Sequence, residues 1–213
     1  MLEMKLHGYW RSSASWRARI GLAWKGIPYE YVPVHLLRGE QVADSYTALN
    51  PMGQVPLLVL DDGRTIAQSL AILEYLQEVH PEPALLPADP VDRAHARQIA
   101  EMINAGIQPL QNLGVQKHVA SLGADEKAWA VHWVSKGLAA LEAVVARTSG
   151  RYCVKDAVSL ADVCLIPQLY AARRFSLDMS AYPTLLRIEA ACAELPAFRT
   201  AHADNQPDAN VAA

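Results

Sequence analysis

Four prolines fall within ten residues, at Pro81, Pro83, Pro87 and Pro90. Proline has no backbone donor and a fixed φ, so residues 80–90 support neither a helix nor a central strand and read as an extended linker. The linker divides the 213-residue chain into an N-terminal domain over 1–80 and a C-terminal domain over 91–213. Both halves hold enough apolar sequence for a core, since hydrophobic residues make up 52% of the chain and charged ones 19%, which excludes intrinsic disorder.

The two halves differ in period. Before the linker, short apolar runs alternate with helical patterns. Strands are predicted at Met4–Tyr9, Tyr29–Val34, Val55–Leu60 and Thr65–Ala67, the last two joined by Asp61-Asp62-Gly63, a hairpin turn signal. Trp16, Ile20 and Trp24 stand at i, i+4 and i+8 on a helix over 13–25. A weaker helical pattern covers 39–48, and Ser69–Val79 is helical with Ile72, Leu76 and Val79 on one face. This order predicts a small α/β layer with a mixed sheet. After the linker no strand pattern appears. Four helices are predicted there: one through Ile99, Met102, Ile103 and Leu110 that Pro109 kinks, one through Trp133 to Val145, and two over 159–175 and 183–194. From about Ala201 the periodicity is lost and the tail is expected to fray. The fold class is therefore α/β plus all-α.

Composition narrows the function. The formal net charge is −3, with no basic excess to offer a phosphate backbone, so nucleic acid is not an expected partner. No stretch reaches the roughly 18 apolar residues that span a bilayer, and no signal peptide is expected from the acidic N-terminus. The three cysteines, Cys153, Cys164 and Cys192, form no C-x-x-C pair. That excludes a disulfide scaffold and a thiolate–zinc site and fits a reducing cytoplasm. Seven histidines show neither H-x-x-x-H nor H-E spacing, so no metal site is expected.

The chemistry concentrates in three motifs. Arg11-Ser12-Ser13-Ala14-Ser15-Trp16-Arg17 opens the first helix with hydroxyls, free backbone donors and cations, a setting for an anion such as a thiolate. One of these serines also serves as an ordinary N-cap. Val55-Pro56 precedes a strand, where a cis peptide would turn the Val55 backbone outward to pair with an extended peptide; an ordinary X-Pro turn is the plainer alternative. Gln68-Ser69 opens a second helix, as a plain cap or as a seat for an α-carboxylate. Ser159-Leu-Ala-Asp162 is a capping box, which makes Asp162 a folding residue and not an acid catalyst.

These motifs, with Gln-Ser-Leu-Ala-Ile-Leu-Glu-Tyr-Leu from Gln68, Leu-Leu-Pro-Ala-Asp-Pro from Leu85, Gly-Ile-Gln-Pro-Leu-Gln-Asn-Leu from Gly106, Arg174-Phe175 and Tyr182-Pro183, resemble the zeta class of the glutathione transferase family over nearly the whole chain. The resemblance implies a thioredoxin-like N-terminal domain, an all-helical C-terminal domain and a homodimer. It implies glutathione as cofactor, with Ser12 orienting and ionising its thiol, Ser13 supporting it, Val55 pairing with its backbone, and Gln68 and Ser69 holding its γ-glutamyl carboxylate. Gln108 and Asn112 would line the same cleft, from this subunit or from the partner subunit, and Arg174 or Arg11 would receive a carboxylate of a small dicarboxylate substrate. The implied reaction is cis–trans isomerisation of maleylacetoacetate to fumarylacetoacetate in aromatic amino acid breakdown. Its rivals are the same reaction on maleylpyruvate in gentisate breakdown, against which the apolar Leu113 argues modestly, and a glutathione-binding module with little turnover. Two positions depart from the class: Ala14 replaces a cysteine and Gly114 a hydroxyl residue.

Overall fold

The structure, a computed structural model, describes residues 4–209. Contacts divide the chain into two compact units, Met1–Pro83 with Leu195–Ala213, and Ala84–Glu194.

The first unit is built on a four-stranded sheet of order β2-β1-β3-β4, from β1 (Lys5–Gly8), β2 (Glu30–Pro33), β3 (Leu57–Val59) and β4 (Thr65–Ala67). β1 and β2 are parallel, so the chain must cross between them, and α1 (Ser13–Trp24) is the crossover. β1–β3 and β3–β4 are antiparallel. Successive residues of a strand face opposite sides. Leu6 and Leu58 thus meet Ala18 and Leu22 of α1 and Ile72 and Leu76 of α3 (Ser69–Val79), while Leu57 joins Tyr9, Val34, Tyr46 and Val55 on the other face. α1 and α3 approach closely at Gly21, where a Cβ would lie 2.3 Å from Leu73 Cδ2. The weak pattern over 39–48 resolves into a 3-10 turn, Glu40–Val42, and the four-residue α2 (Asp44–Thr47), preceded by a second 3-10 turn at Leu36–Arg38.

The second unit is helical: α4 (Pro90–Asn104), α5 (Leu113–Ser121), α6 (Glu126–Thr148), α7 (Leu160–Arg174) and α8 (Pro183–Ala193). Asp89 caps α4 through bonds from the Val91 and Asp92 N–H groups, and Pro90 takes the first helical position, where a missing donor costs nothing. The central helix is α7, with twelve of its fifteen residues buried. α6 carries Gly137 where a Cβ would stand 2.3 Å from Ile107.

Three expectations are corrected. The helix predicted through Pro109 ends at Asn104; a 3-10 turn over Gln108–Gln111 and the separate α5 follow. The Pro109 ring would clash with the carbonyl four residues back, and here the helix stops where a bend was expected. The residues from Leu195, predicted to belong with 91–213, join the N-terminal unit, with α9 (Pro196–Thr200) packed on α1. The tail does not fray through Ala209: Ala203, Gln206 and Asp208 are buried. Side-chain hydrogen bonds hold it, with Gln206 Nε2 donating to Thr200 O and His202 O and Asn205 Nδ2 to Arg199 O. Polar anchors leave no apolar period to read. The expectation for 210–213 lies outside the described residues.

Candidate functional site

Sheet register gathers the N-terminal motifs at one edge. His7 pairs with Leu57 and Leu57 with Ala67, so the end of β1, the start of β3 and the end of β4 lie side by side. The next residues beyond those ends are the loop to Ser12, the Val55-Pro56 segment and Gln68-Ser69.

Ser12 is the N-cap of α1, with φ −67° and ψ 117°, and its Oγ accepts from Ser15 N–H at 3.2 Å. The cap reading and the anion reading are compatible. The oxygen accepts from the helix, while the hydroxyl proton stays available to a ligand. The N–H groups of Ser13 and Ala14 have no acceptor within the helix, as at every helix start. Ser13 is buried at the same end, whereas Ser15 is fully buried and its Oγ accepts from Tyr9 N–H at 3.3 Å. Holding a thiolate at neutral pH means lowering a thiol from its usual ~8.5 by about 1.5 units, or about 2 kcal/mol. A helix end supplies about 0.3–1 kcal/mol in ordinary exposed settings. A hydroxyl donor to the charged sulfur adds about 1.5–3 kcal/mol, the larger contribution at such a helix end.

The Val55–Pro56 peptide is cis. Val55 lies outside the ladder register, which runs from Leu57 to Val59. Gln68 has φ 71° and ψ 120°, a left-handed backbone that side-chain-bearing residues seldom adopt, and it is exposed. No side chain caps α3, so the N–H groups of its first turn keep their capacity for an anion. Ser69 is buried, and its Oγ accepts from Arg17 Nη1 at 3.3 Å. Arg11 lies over the Tyr9 and Trp10 rings, its Cζ 5.8 and 5.5 Å from their centroids, which holds a cation beside the α1 start.

The remaining candidates belong to the second unit. Gln108 opens the 3-10 turn, Asn112 caps α5 by accepting from Gly114 N–H at 3.0 Å, and Arg174 closes α7, exposed. Its neighbour Arg173 is paired with Glu189. Asp162 accepts from Ser159 N–H and Cys153 N–H, each at 2.8 Å, and from Ser159 Oγ at 3.0 Å, inside the core. Burial pushes its carboxyl above the ordinary value, against the pull of those hydrogen bonds. It is a folding residue, as the capping box predicts. Burial also pushes the Cys153 and Cys192 thiols up, and all three cysteines are buried and outside any disulfide. Among the described residues, no group of three or more His, Cys, Asp or Glu side chains could hold a metal ion, and no helix is long and apolar enough to cross a membrane.

Sequence reasoning missed three residues around the site. Arg17, placed there as a flanking cation, is a buried tie between α1 and α3. Arg19 and Asp208 brace the loop before Ser12. The signal for the two arginines is that α1 has no solvated face: Ser13 through Leu22 are all buried except Ala14.

A sheet of this order with these helix ends defines the thioredoxin-like half of a glutathione transferase fold. Residues 11–79 match the family described as glutathione S-transferase, N-terminal domain. The chain is 51% identical over 205 residues to the maleylacetoacetate isomerase of Rattus norvegicus, covering 95% of this chain and 94% of that protein. It is 46% identical over 210 residues to that of Pseudomonas aeruginosa, covering 96% and 98%. A crystal structure of maleylacetoacetate isomerase from Anaeromyxobacter dehalogenans with glutathione bound in its active site matches with a TM-score of 0.90 and 51% identity over 97% of this chain and 98% of that one. The holo structure of a bacterial zeta-class maleylpyruvate isomerase matches with a TM-score of 0.92 and 42% identity, over 96% and 99%. The chain belongs to the maleylacetoacetate isomerase family of glutathione transferase-like proteins.

Proposed function

We propose that the protein is a glutathione-dependent cis–trans isomerase that converts maleylacetoacetate to fumarylacetoacetate. One observation carries this reading. Two helix N-termini, at Ser12 and at Ser69, stand at one sheet edge and are joined by Arg17, in a chain 51% identical to a named maleylacetoacetate isomerase.

The residues present fit glutathione, which carries a thiol, an extended backbone and a terminal carboxylate. Ser12 donates its hydroxyl proton to the thiolate, with Ser13 at the same helix end. Val55 offers backbone groups outside the ladder, and Gln68 and Ser69 hold the γ-glutamyl carboxylate at the start of α3. Gln108 and Asn112 are further candidates for glutathione; Asn112 spends its side-chain oxygen on Gly114 N–H and keeps its two amide protons for a ligand. Bound glutathione supplies a thiolate that adds reversibly to the alkene, leaving a single bond about which the acid turns. Arg174 and Arg11 receive the carboxylates of the dicarboxylate and offset the negative charge that grows during addition.

The same reading makes the protein a cytoplasmic homodimer, with buried thiols outside any disulfide in keeping with a reducing compartment. The resemblance to the maleylpyruvate isomerase, at a TM-score of 0.92, keeps the shorter acid as the second reading. Turnover of the two acids by purified protein with glutathione separates them. A higher kcat/KM for maleylacetoacetate is expected. A higher value for maleylpyruvate reassigns the substrate, and retention on immobilised glutathione without turnover of either acid makes the protein a binding module.

A further inference from the structure

The peptide group between Tyr9 and Trp10 is held at both ends. Its carbonyl accepts from Ser12 N–H at 3.0 Å and from Arg19 Nη1 at 3.4 Å. Its N–H donates to Asp208 Oδ2 at 2.9 Å. The same carboxylate oxygen accepts from the Tyr31 hydroxyl at 3.3 Å, and Arg19 also donates to Trp10 O at 2.8 Å and, through Nε, to Ala201 O at 3.2 Å. Asp208 is 6% exposed and Arg19 fully buried.

Residues 9–12 lie between the end of β1 and the start of α1, with no sheet ladder of their own. The Ser12 backbone is held on the helix side by Trp16 N–H, which donates to Ser12 O at 2.9 Å, and on the loop side by the Tyr9 carbonyl; what holds the peptide group of that carbonyl is a carboxylate near the other end of the chain together with a guanidinium. A tail that merely covered the sheet could do so with apolar side chains. Burying a carboxylate is costly unless its hydrogen bonds are well directed. Here both bonds end on the segment that carries Ser12 and on the neighbouring strand.

We propose that Asp208 is a positioning residue for Ser12: through the Tyr9–Trp10 peptide, the C-terminal tail sets the aim of the hydroxyl that ionises the thiol. The inference rests on the reading that Ser12 serves the glutathione thiol. Removing the carboxylate frees the peptide to rotate, and the Ser12 backbone with it.

The test is the ultraviolet absorbance of the thiolate of bound glutathione, followed against pH. Asp208→Ala is expected to raise the apparent thiol pKa by about one unit, roughly a tenfold loss of thiolate below the midpoint. Asp208→Asn keeps an acceptor for Trp10 N–H and is expected to restore most of it. A thiol pKa that is lowered in the unaltered protein and unmoved by Asp208→Ala overturns the proposal alone. A thiol pKa that is not lowered in the unaltered protein overturns the Ser12 reading and the proposal together. Should Asp208→Ala fail to fold, hydrogen exchange of the unaltered protein decides. The Ser12 amide is expected to exchange through the same opening as Gln206, and a Ser12 amide still protected after the tail has opened overturns the proposal.

Discussion

Arg17 Nη1 donates to Ser69 Oγ at 3.3 Å, so a guanidinium on the second turn of α1 reaches the first residue of α3. The two anion-ready helix ends are thus fixed relative to each other by one buried side chain. A ligand with a thiol and a carboxylate meets a preset spacing and loses less freedom on binding. Arg17→Met removes the tie while filling much of the volume. It is expected to raise the KM for glutathione about tenfold, equivalent to about 1.4 kcal/mol, with little change in kcat. Steady-state kinetics with varied glutathione check this, and an unchanged KM removes Arg17 from the account.

On the proposed reading, Ser12 serves the thiol and Ser15 serves only the fold. Both accept a backbone N–H bond, at 3.2 and 3.3 Å, so replacing either by alanine is expected to cost about 1 kcal/mol of stability. On the proposed reading only Ser12 offers a proton to a ligand. Ser12→Ala is expected to lower kcat about a hundredfold, matching the loss of about 2.7 kcal/mol of charged hydrogen bonding, while Ser15→Ala falls by far less. Melting curves and turnover measured on both variants distinguish the two roles; equal turnover losses reassign Ser12 as a cap only.

The thiols supply a chemical prediction. All three cysteines are buried, and Cys153 and Cys192 are held in the thiol form by burial. An alkylating reagent is expected to leave the folded protein unmodified and active, and to modify three sites after denaturation. Ala14→Cys, partly exposed at the α1 start, is expected to take up one equivalent in the folded state. Intact-mass measurement reads both results, and modification of the unaltered folded protein contradicts the burial argument.

Asp162 gives a pH dependence with a definite sign. Its folded carboxyl titrates above the ordinary value of 3.8, so between 3.8 and that raised value the folded state binds more protons than the unfolded one. Stability contributed by this group therefore falls as pH rises through that window. Asp162→Asn lacks this downward contribution, although it is less stable throughout, by about 2 kcal/mol, because its amide cannot accept all three bonds. Urea midpoints across the window are expected to climb more steeply with pH in the variant; parallel slopes would show that Asp162 titrates normally.

How much of this was legible follows from what each element is made of. β4 and α3 match their predicted bounds residue for residue, because Asp61-Asp62-Gly63 marks the hairpin and a clean apolar stripe marks the helix. The Ser12 and Asp162 caps carry local signatures of hydroxyl or carboxyl before an apolar run, and both caps form. The tail is not legible because its order comes from polar bonds that leave no apolar period: Asp208 accepts from Trp10 N–H far away in sequence, and Gln206 bonds locally to Thr200 O and His202 O. Arg17 was misplaced for a related reason. A charged residue in a motif reads as facing a ligand, and only the packing of α1 against α3 shows it buried and turned toward Ser69.

With no cysteine at Ala14, the reactive sulfur of the proposed reaction lies in glutathione and outside the polypeptide. The direct measurement is the rate at which purified protein consumes maleylacetoacetate with and without added glutathione. Conversion to fumarylacetoacetate is expected only when glutathione is present. Equal rates in its absence would contradict it.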